Sequence, residues 1–317
     1  MANEQSQRQV AIIGAGPAGL AAARALDHHG DEVRIFDKGR GPGGRLSTRR
    51  LGETRFDHGA RALDFPVGRA TDVLERWTAD QAAAPWKPRV RGGAEPHEHQ
   101  VGTPAMNAVV KADARDLNVT FGTRIVALQP QGTCWALIDQ DGSITSVADR
   151  VVLAVPAPQA HDLLAPTGFA HLKEIAAVEF DPVWAFMFEG PDRLAIGFDA
   201  LEHPSSVIAH AEAQSSKPGR RQDRSWVAHA TTEWSRAHVE DERPVVEELL
   251  ARELSRLLET ELSPPWSAHR WRYGLVRTPV GQEVLVDESR GLVACGDWCL
   301  GPTVEHALLS GRAAGRS

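Results

Sequence analysis

The chain has 317 residues, 42% apolar, 6% aromatic and 24% charged, with a net charge of −7. That is ordinary globular composition at a length for about two domains, and it excludes collagenous and low-complexity chains. The acidic balance disfavours nucleic acid and anionic membrane surfaces as partners, and three cysteines are too few for a disulfide framework.

The first residues, MANEQSQRQ, lack the apolar core of a signal peptide, and no run approaches a membrane span, so a cytoplasmic location is expected. Val10 to Ile13 then reads as a buried parallel strand. Gly14, Gly16 and Gly19 satisfy G-x-G-x-x-G, with Pro17 and Ala18 between them and a helical stretch from Leu20 to Leu26. Gly14 allows the tight turn, Gly16 leaves room for a pyrophosphate, and Gly19 lets the helix pack on the strand. The helix N-terminus favours the negative charge placed there. A second strand, Glu32 to Phe36, ends in Asp37, about 20 residues on, where an acid receives ribose hydroxyls.

Lys38 to Arg55 gathers six cations (Lys38, Arg40, Arg45, Arg49, Arg50 and Arg55) among several glycines. It reads either as a solvated basic loop or as a second glycine turn in which Gly44 and Arg45 bring a guanidinium to the diphosphate.

This DKGRGPGGR run resembles the FAD-binding half of the amine oxidase superfamily. GGRLSTRR followed by FDHGAR is similar to its renalase-like branch, whose members read GGR and later D-x-GAQ. Asp57, Gly59 and Ala60 fit that pattern, and Arg61 replaces the usual Gln. The resemblance implies non-covalent FAD, held by Lys38, Gly44, Arg45, Leu46, Gly59 and Ala60 as well as by the glycine motif and Asp37. Arg61 is then expected either to add a fixed positive charge near the reaction site or to turn to solvent.

Thr71 to Ala83 has helical composition, broken by Pro85 to Pro88. Residues 92–100 carry His97 and His99 beside Glu95 and Glu98, a spacing that matches no recognised zinc pattern, so a substrate-side loop and no metal are expected. Thr103 to Ala114 reads as a helix. Val119 to Leu128 and Thr133 to Ile138 read as strands, with a hairpin turn at Asp141 and Gly142. The resemblance makes Ile125 an adenine contact. Arg150 to Val155 is an apolar strand stopped by Pro156.

Beyond Pro156 aromatics alternate in Val183 to Phe188, Trp226 to Trp234 and His269 to Leu275, which predicts an antiparallel sheet with one buried face, roofing a cavity. Pro244 to Thr260 has helical spacing with proline in the first turn. The segment AHRWRYG is similar to the renalase-like pattern, which implies that Trp271 faces the flavin and His229 of WVAHAT lies in the pocket. Gly291 to Cys295 is a strand, and CGDWCLGPTVEHALLSG resembles the superfamily's terminal flavin motif. That implies Gly296 and Asp297 at the cofactor and a helix near Val304 aimed at the pyrimidine edge. His306 stands where glycine is usual, which puts helix packing or pocket shape in question. Cys295 and Cys299 are expected as buried inert thiols.

The fold expected is α/β, a Rossmann-like FAD-binding domain with a second antiparallel-sheet substrate domain, as in amine oxidases and p-hydroxybenzoate hydroxylase. Residues 1–65, 101–156 and 285–317 are expected in the first domain, and 66–100 and 157–284 in the second. The resemblance implies an oxidase of 2- and 6-dihydroNAD(P), with Trp271, His229 and Arg61 at the reacting ring and dioxygen as acceptor. An amine oxidase or another small-molecule flavin oxidoreductase is the alternative, and a flavin-binding protein without turnover is a third reading.

Overall fold

The computed structural model describes residues 7–27, 30–93 and 97–317, so Glu95 falls outside it. β1 (Gln9–Ile13) passes through the glycine turn into α1 (Pro17–Asp27) and β2 (Glu32–Asp37), which pairs parallel to β1. Lys38 to Arg55 is not open throughout, because it carries the hairpin of β3 (Arg49–Leu51) and β4 (Thr54–Phe56). α2 (Thr71–Ala79) stops short of Ala83, where β5 (Ala83–Trp86) begins and pairs with β6 (His99–Gly102). The expected breaker Pro85 sits in that ribbon, where an edge strand tolerates a missing N–H. The expected loop at 92–100 thus ends in a strand.

α3 (Ala108–Asp113) is shorter than the helix expected from Thr103, since the Met106 N–H is spent on the Asp57 carboxylate at 3.0 Å. β7 (Val119–Phe121) and β8 (Ile125–Gln131), expected as one strand, belong to different sheets. Gly122, at φ 72°, turns the chain between them. β9 (Cys134–Asp139) and β10 (Ile144–Ala148) form the expected hairpin, and β11 (Arg150–Leu153) returns beside β1.

α4 (Ala157–Leu164), α5 (Leu172–Ala176) and the long β12 (Glu179–Glu189) follow. Next come α6 (Arg193–Ile196), β13 (Ala200–Glu202), β14 (Ile208–Ala213) and β15 (Ser225–Ala230). Trp234, expected on that last strand, lies on α7 (Thr232–Ala237), because Thr231 caps the helix by accepting the Trp234 N–H at 3.2 Å. The chain continues through α8 (Arg243–Leu258), β16 (Trp266–Thr278), β17 (Leu285–Asp287), β18 (Leu292–Ala294) and α9 (Val304–Arg316).

Two sheets dominate. A Rossmann-like six-stranded sheet runs β17-β18-β11-β1-β2-β7, parallel except where β17 meets β18, and an antiparallel five-stranded sheet runs β13-β14-β15-β12-β16. This is the mixed α/β architecture expected from the sequence. α8 lays Val246, Leu250 and Leu254 against Trp184, Phe186 and Phe188 of β12. The opposite face is also covered: Met187 and Val227 pack on Phe56 of β4. The alternation in Val183 to Phe188 therefore separates two buried faces, not a buried one from an open one. Residues 66–100 are shared between layers. Val73 and Trp77 of α2 join the core of β1 and α1, whereas Arg89 binds Asp199 beside β13. Among the described residues no helix is long and apolar enough to cross a membrane.

α1 and α9 lie side by side in parallel, since Gly311 meets Ala18 and Gly315 meets Ala22 and Ala25. Both helix N-termini thereby open at the same end of the parallel sheet. The contact depends on absent side chains: a Cβ on Gly311 would stand 2.1 Å from the Ala18 carbonyl oxygen. Gly311→Ala is expected to lower unfolding free energy by about 1–3 kcal/mol through overpacking, despite alanine's better helix propensity. Urea titration reads this as a shifted midpoint at unchanged slope.

Candidate active site

The carboxyl ends of the parallel strands, the β3–β4 hairpin and the antiparallel sheet enclose a cleft of about 2100 Å³. Its nucleotide end is built by close backbone approach. Gly14 holds φ 111°, with its would-be Cβ 2.4 Å from the Ala154 carbonyl oxygen, and a Cβ on Gly19 would stand 1.9 Å from the Gly14 oxygen. A Cβ on Gly16 would meet nothing within 4 Å, so that face is open to the cleft. Asp37 steadies the turn, its carboxylate accepting the Ala15 N–H at 2.7 Å and the Gly39 N–H at 2.6 Å.

Of the residues predicted at the cofactor, Gly14, Gly16, Pro17, Ala18, Asp37, Lys38, Gly44, Arg45, Leu46, Gly59, Ala60, Ile125, Gly296, Asp297 and Val304 all line this cleft. Gly19 lies behind it as helix packing. Arg45 is already engaged, donating to Asp297 Oδ1 at 2.5 Å and to the Gly274 carbonyl at 3.2 Å. Its guanidinium is therefore neutralised by the second acid expected at the cofactor. A diphosphate here is left to the backbone N–H groups of α1, whose first turn carries no acid. The open face at Gly16 and this bare helix end fit a dinucleotide.

Strand register builds the other end. His210 of β14 pairs with His229 of β15, which lies opposite Ala185 of β12, and Ala185 in turn lies opposite His269 of β16. Three histidines thus stand in one row, with Trp271 two positions along β16 on the same face. Above the row the His58 carbonyl accepts the Trp271 indole N–H at 2.8 Å and the His229 Nε2–H at 3.1 Å. That bond fixes the proton of His229 on Nε2 and leaves Nδ1 buried without a partner. Burial, then the neighbouring His269 and His229, pushes His58 down to about 3, and burial with the Arg49 charge pushes His269 to about 4. Burial also lowers His229 and His210. The roof is consequently a set of neutral imidazoles around an indole.

Arg61, expected as a fixed charge or a solvent-facing side chain, is neither. It lines the cleft but pairs with Glu202 and with Glu212, the latter at 2.8 Å, and Glu212 also binds the fully buried Lys217. Burial would raise the Glu212 carboxyl, but Lys217 and Arg61 outweigh it and hold it low. Asp57 is organised likewise. It accepts from Thr48 at 2.6 Å, from Met106 and from Arg220 at 2.5 Å, and the Arg220 and Lys217 charges with these hydrogen bonds overcome the burial that would raise its carboxyl.

His306 does not enter the cleft. Its Nδ1 shares a 2.9 Å hydrogen bond with the Thr303 hydroxyl, and its ring fills the space beside Gly301. Cys295 and Cys299 are free and buried, and burial pushes Cys299 up to about 12 and Cys295 well above the usual thiol range. Among the described residues no histidine, cysteine and carboxylate group stands together as a metal site. Sequence reasoning passed over His58 and His269, although each is directly beside, or two residues from, a residue it named (Gly59 and Trp271). The missing signal was the strand register, which places His229 and His269 either side of the small Ala185.

A glycine-lined cleft shaped for a dinucleotide and roofed by an antiparallel sheet defines a two-layer, Rossmann-like nucleotide-binding protein. The chain belongs to the flavin containing amine oxidoreductase family, whose model matches residues 79–316, while an NAD(P)-binding Rossmann-like domain model matches residues 12–77. Its cofactor is FAD. The protein is 39% identical over 59 residues to the zeta-carotene-forming phytoene desaturase of Myxococcus xanthus, a match spanning 19% of this chain and 11% of the desaturase. It is also 54% identical over 43 residues to the glutamate synthase [NADH] of Schizosaccharomyces pombe, or 14% of this chain and 2% of that one. Each alignment therefore spans a small fraction of the curated relative. The fold is that of an Exiguobacterium protein assigned as a protoporphyrinogen oxidase, at TM-score 0.76, 14% identity and 98% of both chains. A putrescine oxidase bound to putrescine gives TM-score 0.65 at 15% identity, again over 98% of both chains.

Two outcomes follow from the buried charges and imidazoles. Asp57→Asn leaves Arg220 buried without its counter-ion and is expected to cost about 3–5 kcal/mol, read by urea unfolding. The folded values of His58 and His269 lie below the roughly 6.5 of free imidazole, so the unfolded chain binds the extra protons. Stability is complete above about pH 6.5 and falls as pH drops towards about 4. His269→Gln is expected to flatten the melting temperature against pH between those limits, and an unchanged slope would remove His269 as its source.

Proposed function

We propose that the protein is a renalase-like FAD-dependent oxidase, taking isomeric dihydronicotinamide nucleotides, the 2- and 6-dihydro forms, back to NAD(P)+ with dioxygen reduced to hydrogen peroxide. The observation that carries this reading is the charge of the cleft. Ten cationic side chains line it against five carboxylates, in a protein whose net charge is −7. Such a field gathers an anionic nucleotide and repels the ammonium substrate of an amine oxidase. A single tyrosine, Tyr273, is packed on Phe180 at 5.6 Å, so no pair of tyrosines is there to cage an amine.

Bound FAD supplies a two-electron acceptor that takes a hydride at N5. The chain's own residues bind and orient. Gly16 and Ala18 give the diphosphate its backbone donors, while Gly14 makes the turn and Pro17, which has no N–H, opens the helix; Asp37 stands at the ribose and Ile125 at the adenine. Gly44, Leu46, Gly59, Ala60, Gly296 and Val304 shape the channel for the remainder of the cofactor. Trp271 gives a flat apolar surface for a nicotinamide ring. Its indole N–H is tied to His58, so the ring is held in one orientation before substrate arrives. His229, neutral with a lone pair on Nδ1, is a hydrogen-bond acceptor that needs little rearrangement. Proton removal is not required of these groups, because a dihydropyridine yields hydride without prior deprotonation.

Anaerobic mixing of the FAD-loaded protein with 6-dihydroNAD tests the reading. Flavin bleaching within seconds is expected, with none from putrescine or other amines; no bleaching by any dihydronucleotide isomer would sink it. Trp271→Phe keeps the apolar surface but loses the bond to His58. Its bleaching rate is expected to fall about 10- to 100-fold with loss of orientation, and a wild-type rate would show that the indole N–H has no such role.

A further inference from the structure

One of the two readings of Arg61 in the sequence makes it a fixed cation near the reaction site, and Glu202 and Glu212 neutralise it. Several neighbouring guanidiniums are spoken for as well. Arg220 is held by Asp57, Arg45 by Asp297, and Arg270 and Arg272 by Glu240. Arg49 differs. It lies on β3 opposite Phe56, is half-buried, lines the cleft, and has no carboxylate partner among the described residues.

Its surroundings are those of the roof. His58, two residues beyond its hairpin partner, stacks 5.1 Å from Trp271, and His269 stands 4.9 Å from His58 and 4.4 Å from Trp271. The Arg49 charge acts on both imidazoles. His269 is half-buried in the cleft wall and makes no hydrogen bond among the described residues, while His58 is 5% exposed with an unpartnered Nδ1. An unpaired guanidinium next to an unpaired neutral imidazole N–H lacks one thing, an oxyanion.

We propose that Arg49 and His269 form the subsite for a phosphate group of the substrate, the group that distinguishes a nucleotide from its nucleoside. The ring-bearing part of that substrate rests on the reading above; the oxyanion site does not. Arg49 supplies charge and a forked pair of donors, and His269 supplies a neutral N–H. A neutral imidazole suits this position because a second fixed cation would raise the cost of the empty state.

The FAD-loaded protein is titrated calorimetrically with nicotinamide mononucleotide, with nicotinamide riboside, which differs only by the phosphate, and with inorganic pyrophosphate. The mononucleotide is expected to bind at least about tenfold more tightly than the riboside. Arg49→Gln should erase that preference and the pyrophosphate heat, Arg49→Lys should restore part of both, and Arg55→Gln, on the same hairpin but outside the cleft, should change neither. Since Arg49 makes no ion pair, the variants should keep their flavin spectrum. Equal binding of the two nicotinamides by the unaltered protein, or a preference that survives Arg49→Gln, overturns the proposal. Pyrophosphate binding that Arg49→Gln abolishes, in a protein whose flavin no dihydronucleotide bleaches, upholds the oxyanion site while the substrate reading falls.

Discussion

A buried carboxylate, Asp57, is the constraint on which the cleft depends. Four separate stretches of chain meet at this residue: Thr48 before the hairpin, Met106 before α3, the Arg220 guanidinium, and the Gln214 side chain, which accepts the Asp57 N–H. Removing such a charge from water is costly, and the donors Thr48, Met106 and Arg220 offset it. The position of residues 58–60 is thereby settled. His58 then bridges β15 and β16 with its carbonyl, and Ala60 bonds back to the Arg45 carbonyl at 2.8 Å. One anchored segment therefore sets both the roof of the cleft and the second glycine turn.

Much of the nucleotide half was legible because its signals are local. Val10 to Gly19 states a strand, a turn and a helix within one window, and the structure supplies β1, the glycine turn and α1 there. Trp234 and the span Val119 to Leu128 were misread because composition does not show where a Thr cap or a left-handed glycine ends a strand. The roof was harder still. His58, His210, His229 and His269 come from three distant regions, and only register across β14, β15, β12 and β16 gathers them. Arg61 shows the same limit in electrostatics: a lone arginine in sequence acquires its meaning from Glu202 and Glu212, far along the chain.

The cleft and the whole molecule carry opposite signs. Acidic residues sit mostly elsewhere; of those that line the site, Asp297 holds Arg45 and Asp37 is spent on backbone N–H groups. Lining cations outnumber carboxylates, so the field at the mouth is positive while the molecule as a whole is acidic. Neutral imidazoles at the roof extend this arrangement, because they add polarity near the reacting ring without adding charge.

The parallel contact of α1 with α9 has a consequence for biosynthesis. α1 leaves the ribosome well before α9, which follows only after the entire antiparallel sheet has been made. Until then the Ala18 side of α1 is uncovered, and the cleft lacks Gly296, Asp297 and Val304 from its wall. The cofactor half cannot mature as an independent early unit, and its closure is a non-local step of the kind that slows folding. The wall of the cleft is therefore complete only when residues 296–304 have joined it, long after the glycine motif that first announces it.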